Sequence, residues 1–163
     1  IQEPSVSAEA EQIMLNHQQE LSLGKGNKMA MKNDYSDQVA LVSRGNQYLT
    51  NLEIEENTVA LLIDTGASMT TLSQAAFHAL SSKHTFDPMG QRMFSTANGI
   101  TKGDIYRVER LKLGKFTLNG AQLAVLDFTM PAGVDGLLGM NVLAQFRFHI
   151  DQEKQLLYLA DRP

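Results

Sequence analysis

From Ser7 to about Leu21 the apolar residues Ala10, Ile13, Met14 and Leu21, with His17 as a marginal member, recur at helical steps of three and four. One amphipathic helix is expected there. Ser22 to Asp37 carries Gly24, Gly26, Asn27, Asn33, Asp34 and Ser36 and follows neither the helical nor the strand period, so it reads as a linker. Residues 1–36 are therefore set apart from a domain over residues 37–163. They are either a flexible tail or a pro-segment or tether that packs on the domain or is cleaved from it.

After Asp37 the pattern changes to short β-rich runs between turn residues, which predicts a small all-β domain. Val39–Ser43 forms one run, Arg44-Gly45-Asn46 a turn, and Tyr48–Ile54 a second run. Glu55-Glu56-Asn57 turns the chain into Val59–Ile63, apolar on both faces and so expected to be buried on both. Ser73 is placed to cap a short helix through Leu80. Further strands are expected at Gln91–Ser95, Ile105–Leu113, Phe116–Leu118 and Ala121–Leu126, with turns at Ala97-Asn98-Gly99, Gly114-Lys115 and Asn119-Gly120. The last third predicts a buried run at Gly136–Gly139, a short helix near Asn141–Gln145, and a terminal hairpin with arms Phe146–Ile150 and Gln155–Leu159.

Length and composition narrow the functions open to such a domain. A chain of 163 residues holds one ordinary domain plus an extra element, and 43% hydrophobic residues suit a folded core. Its 14 basic and 18 acidic residues show no long run of one sign, which argues against a nucleic-acid partner. Cysteine is absent, excluding disulfides, a thiolate nucleophile and sulfur-ligated zinc. His17, His78, His84 and His149 lack paired metal spacing, and no serine sits in a Gly-x-Ser-x-Gly elbow, so neither a metal site nor a serine hydrolase is expected. No stretch reaches the roughly 18 to 20 apolar residues of a membrane span, so this segment is expected to make no membrane contact. Because the sequence begins at Ile1, a processed product that has lost an upstream signal or anchor is expected.

Chemistry concentrates at Leu61-Leu62-Ile63-Asp64-Thr65-Gly66-Ala67-Ser68, where an acid directly follows a fully apolar strand. An isolated anion is costly to bury there, so Asp64 needs hydrogen-bond donors or a shared proton. About seventy residues later comes Val134-Asp135-Gly136-Leu137-Leu138-Gly139-Met140-Asn141, and between the two lies Phe94-Ser95-Thr96-Ala97-Asn98-Gly99-Ile100.

These segments, in this order, resemble the retropepsin-like aspartic peptidases, and the likeness spans about Val39 to Leu159. It is strongest toward the bacterial, cellular branch, in Arg44-Gly45-Asn46, in Ala-Ser after the motif glycine and in Leu-Leu-Gly-Met-Asn. The resemblance implies a small closed β-barrel with a flap hairpin and short helices, active as a two-fold homodimer. It implies an aspartic endopeptidase acting on extended peptide without a cofactor, and a periplasmic or membrane-anchored location. It assigns catalysis to Asp64, Thr65 and Gly66, with the Thr65 hydroxyl reaching the partner's loop and Gly66 permitting close backbone approach. Substrate would lie against Ala67, Ser68, Thr96, Ala97, Asn98, Gly99, Ile100, Leu137 and Leu138.

Hydrolysis of this kind needs one carboxylate to deprotonate water and one carboxylic acid to protonate the carbonyl oxygen. The sequence holds no second Asp-Thr-Gly or Asp-Ser-Gly, so two chains must each supply Asp64. Ala67 cannot donate to the catalytic carboxylate as the serine or threonine of many bilobal pepsins does, which predicts activity at mildly acidic pH. Ser68 and Met140 stand where viral relatives carry an acid and an arginine, so that ion pair is absent from the expected dimer contact. The competing expectation is a peptide-binding or dimerisation module with the same fold and little turnover.

Overall fold

The computed structural model describes residues 34–96 and 99–162, so the expected amino-terminal helix and nearly all of the linker lie outside the described residues. Residues 34–36, read as the end of that linker, are tied to the domain. The Ser36 amide donates to the Leu159 carbonyl at 3.0 Å, and the Arg147 guanidinium donates to the Asp34 carbonyl at 2.9 Å. The Tyr35 ring sits beneath that guanidinium at 5.1 Å and packs against His149 and Tyr158, and the burial pushes its hydroxyl pKa upward.

The run expected as one strand over Val39–Ser43 is two strands in different sheets. Strand β1 (Asp37–Ala40) pairs with β13 (Leu156–Asp161), which also pairs with β12 (Phe146–Asp151) to complete a three-stranded sheet. Strand β2 (Val42–Arg44) instead pairs with β3 (Gln47–Ile54). The switch occurs at Leu41, whose side chain is buried and whose amide donates to the Gln155 carbonyl at 3.0 Å. Alternation of apolar residues cannot reveal it, because the pleat continues through the crossing.

Strand β3 turns into β4 (Asn57–Ile63) through Glu55 and Glu56, both with positive φ (50° and 71°), values that L-residues adopt at a cost. Glu55 offsets it. Its buried carboxylate accepts from the Glu109 amide at 2.9 Å and the Arg110 amide at 3.3 Å, tying the turn to the next layer of strands.

The remaining elements are β5 (Thr71–Ser73), α1 (Gln74–Ser81), β6 (Asp87–Thr96), β7 (Gly99–Arg107), β8 (Arg110–Leu113), β9 (Phe116–Asn119), β10 (Gln122–Leu126), β11 (Gly136–Leu138) and α2 (Met140–Leu143). Helix α1 starts as expected, with the Ser73 hydroxyl accepting from the Ala76 amide at 3.2 Å. The strand expected over Ile105–Leu113 is broken at Val108 and Glu109 into β7 and β8. Among the described residues no helix is long and apolar enough to cross a membrane.

The larger sheet runs β6-β7-β10-β5-β11-β4-β3-β8-β9, with β2 added beside β3. The all-β class expected from the sequence is the one adopted, but the closed barrel is not: β6 and β9 end the path without pairing. Closure would need β6 to offer its outer edge. That strand instead belongs to a hairpin overhanging the cleft described below, and its edge is spoiled by Pro88, which lacks an amide hydrogen, and by a bulge between Pro88 and Gln91.

Strand β4 sets the packing because its two faces enter two cores. Leu61 and Ile63 join the main cluster with Leu72, Leu111, Leu123 and Leu138, whereas Leu62 joins a smaller one with Leu49, Val134 and Leu137. Each such leucine contributes about 1.5–3 kcal/mol on burial. Together they hold the end of β4, and hence Asp64, in a fixed place.

Candidate active site

The chain segment 64–70 loops from β4 to β5, yet these strands are not neighbours. Strand β11 lies between them, parallel to β4 and antiparallel to β5, so the loop arches over the strand that separates its own ends. Asp64 opens the loop with its amide donating to the Leu138 carbonyl at 2.9 Å. Its side chain is 1% exposed, and Oδ1 accepts from the Gly66 amide at 3.0 Å. That donor is of the kind a buried carboxylate requires. The Ala67 amide closes the turn onto the Asp64 carbonyl at 3.1 Å.

The far side of the loop is bonded to the segment that follows β11. The Met140 amide donates to the Ala67 carbonyl at 2.8 Å and the Asn141 amide to the Ser68 carbonyl at 3.1 Å. Asn141 Oδ1 accepts from both the amide and the hydroxyl of Thr70, at 2.7 and 2.8 Å, and the Thr70 hydroxyl in turn accepts from the Gly139 amide at 3.0 Å. The Asn141 Nδ2 donates to the Gln122 carbonyl at 2.8 Å, anchoring the network to β10. Sequence reasoning assigned no role to Thr70 or Asn141. The one available signal was Asn141 directly after Leu-Leu-Gly-Met.

Two glycines make the threading possible. A Cβ on Gly136 would run into the Thr71 carbonyl oxygen, and one on Gly139 would lie 2.5 Å from the carbonyl carbon and oxygen of Met69. Here glycine is needed for backbone approach and not for a left-handed φ.

Between this loop and the β6–β7 hairpin lies a cleft of about 570 Å³. Of the residues expected at the site, Asp64, Gly66, Ala67, Ser68, Thr96 and Leu137 line it. Leu138 does not: it alternates to the opposite face of β11 and is fully buried in the main core, which corrects its placement beside substrate. Gly99 and Ile100 stand at the exposed end of the hairpin, Ile100 being 72% exposed, and are not part of the cleft lining. Ala97 and Asn98 lie outside the described residues. Thr65 is also outside the lining; its hydroxyl oxygen is buried and has no hydrogen-bond partner within the described chain.

The cleft also contains residues that the sequence reading passed over: Met69, Thr71, Arg92, Met93, Phe94, Ser95, Leu126 and Phe128. Thr71 faces Leu137 across the β5–β11 pair, and its buried hydroxyl likewise has no partner among the described residues. Among the described residues Asp64 is the one carboxylate in the lining. Among the described residues no group of His, Asp and Glu could hold a metal ion.

A strand-end acid on a glycine-bearing loop, threaded by a Gly-Leu-Leu-Gly strand and roofed by a hairpin, is the arrangement of a retropepsin-like fold. Residues 50–142 match the family described as aspartyl protease, and the chain belongs to it. Among solved structures it is similar to a retropepsin-like aspartic protease from Rickettsia conorii, with 26% identity over 75% of this chain and 87% of that one and a TM-score of 0.57. It is also similar in fold to the EIAV protease, solved with an inhibitor, at 18% identity over 63% of this chain and 92% of that one and a TM-score of 0.50. No curated protein matches the chain.

Proposed function

We propose that the protein is an endopeptidase whose working unit is a two-fold homodimer, each chain contributing Asp64 to one catalytic pair. Membership of the aspartyl protease family supports a protease in general terms. The observation that carries the finer reading is that, among the described residues, Asp64 alone brings a carboxylate to the cleft lining, although the chemistry needs two. Thr65 supports the same arrangement, since a buried hydroxyl without a partner among the described residues is suited to a bond supplied by a second copy.

In the dimer the paired carboxyls hold one proton between them because two like charges so close cannot both persist. The ionised member takes a proton from water, the water oxygen attacks the scissile carbonyl carbon, and the protonated member delivers its proton to the carbonyl oxygen. On collapse of the tetrahedral diol, the carboxyl that took the water's proton passes it to the departing nitrogen as the C–N bond breaks, and a diol hydroxyl returns its proton to the other carboxylate as the carbonyl re-forms. The β6–β7 hairpin holds the substrate extended over the pair by backbone pairing.

The test is incubation with a mixed peptide library at pH 4 to 7, beside the Asp64→Asn variant, with solution mass measured on both. Cleavage by the wild type alone, from a dimeric species, is the expected outcome. Cleavage that survives in Asp64→Asn, or that comes from a species unable to self-associate, would overturn the proposal.

A further inference from the structure

Among the described residues Arg92 is the one basic side chain lining the cleft. Its direction follows from the strand register. Arg92 lies opposite Gly103 and Phe94 opposite Thr101 in the β6–β7 ladder, so Arg92, Phe94 and the Gly103 Cα share one face of the hairpin. That face looks inward: a Cβ on Gly103 would meet Leu126 Cδ2 at 2.5 Å and Phe94 Cε2 at 2.8 Å. Phe94 itself packs against Met69, Ile105 and Ala124 beneath the hairpin. The bulge between Pro88 and Gln91 matters here, because slipping the register by one residue would turn Arg92 to the outside.

The charge is unspent. Among the described residues the Arg92 side chain makes no hydrogen bond or ion pair. The acid close to it in the ladder, Asp104, is engaged by the Gln91 side chain at 2.9 Å, and these two residues share the opposite face of the hairpin. Gly103 places no side chain across from Arg92 that could compete for its donors. A guanidinium with a fork of free donors, beside apolar walls from Phe94, Leu126 and Phe128, is matched chemically by a carboxylate on a short apolar stem.

We infer that Arg92 makes the cleft selective for peptides bearing an acidic side chain near the scissile bond, received by the guanidinium under the hairpin. This deepens the peptidase reading and rests on it. The same chemistry would be offered by a peptide's terminal carboxylate, and the experiment separates the two sources.

The test measures binding in the Asp64→Asn background, so that selectivity is read whether or not the protein turns over, with a parallel cleavage assay on the Asp64 protein. Labelled peptides carrying Glu, Gln or Lys at each position in turn are compared with carboxy-terminal amide and free-acid forms. The expected result is a roughly five- to twentyfold preference for Glu over Gln at one internal position, equal in the two forms. Arg92→Gln removes the preference, and Arg92→Glu inverts it toward Lys. No acidic preference, a preference untouched by Arg92→Glu, or one that needs the free terminal carboxylate would overturn the inference. Absence of cleavage beside an Arg92-dependent binding preference would count against the peptidase reading alone.

Discussion

Thr70 and Asn141 stand 71 positions apart and meet through one carboxamide oxygen, which accepts from the Thr70 amide at 2.7 Å and from its hydroxyl at 2.8 Å. This contact fastens the end of the Asp64 loop to the start of α2. Asn141→Ala strands two donors and frees the Gln122 carbonyl, so a loss of about 2–4 kcal/mol is expected in urea denaturation. Thr70→Val, which keeps shape but removes the hydroxyl, is expected to lose about 1–3 kcal/mol, and Thr70→Ser much less. Equal stability of the Val and Ser variants would mean the hydroxyl bonds carry no weight.

Gly136→Ala drives a methyl group into the Thr71 carbonyl oxygen, a backbone atom that cannot rotate aside. The cost is expected to exceed about 3 kcal/mol, beyond the usual range for overpacking a core with side chains alone. Soluble yield and circular dichroism should both collapse. A well-folded variant would show that β11 has slack beside β5.

The two glutamates of the β3–β4 turn are expected to respond in opposite directions. Glu56 is exposed, has φ 71°, and makes only a surface ion pair with Arg110 at 3.2 Å, so Glu56→Gly should raise stability by up to about 1 kcal/mol. Glu55→Ala removes the acceptor for the Glu109 and Arg110 amides and should lower it by about 2–3 kcal/mol. Paired thermal melts are sufficient to check the sign of each.

Thr65→Val tests the buried hydroxyl that has no partner among the described residues. Dissociation of the proposed dimer should become easier by roughly ten- to hundredfold, because two-fold symmetry counts the lost bond twice, while the thermal stability of the monomer stays unchanged. Sedimentation across a concentration series reads the first quantity. A monomer that melts earlier with no change in association would assign the hydroxyl to the fold.

Ala67→Ser adds a donor beside the carboxyls of the proposed pair. A bond to the ionised form favours that form, so the acidic limb of the kcat/KM profile should move to lower pH. A profile that stays in place would show that the new hydroxyl turns elsewhere.

Much of the site was legible because its parts are local. The apolar run Val59–Ile63 delivering Asp64, the Ser73 cap and the Gly136–Gly139 segment each announce themselves within a few residues. What stayed hidden depends on pairings between distant segments. Leu41 switches sheets without breaking its alternation, and Asn141, though it follows Leu-Leu-Gly-Met, carries nothing in its neighbourhood that names Thr70 as its partner. Leu137 and Leu138 read alike in sequence, yet register sends one to the cleft and the other to the core. Arg92 was invisible for the same reason, since only the bulge fixes the face it occupies.

Strand β11 completes the centre from the inside, and this orders events in time. During synthesis, a ribosome that has translated Asp64 must still add the residues through Asn141 before the loop has the strand and amides that shape it. A truncated or stalled chain therefore carries the acidic residue but not its surroundings, and the cradle around it takes shape only once the final third has emerged.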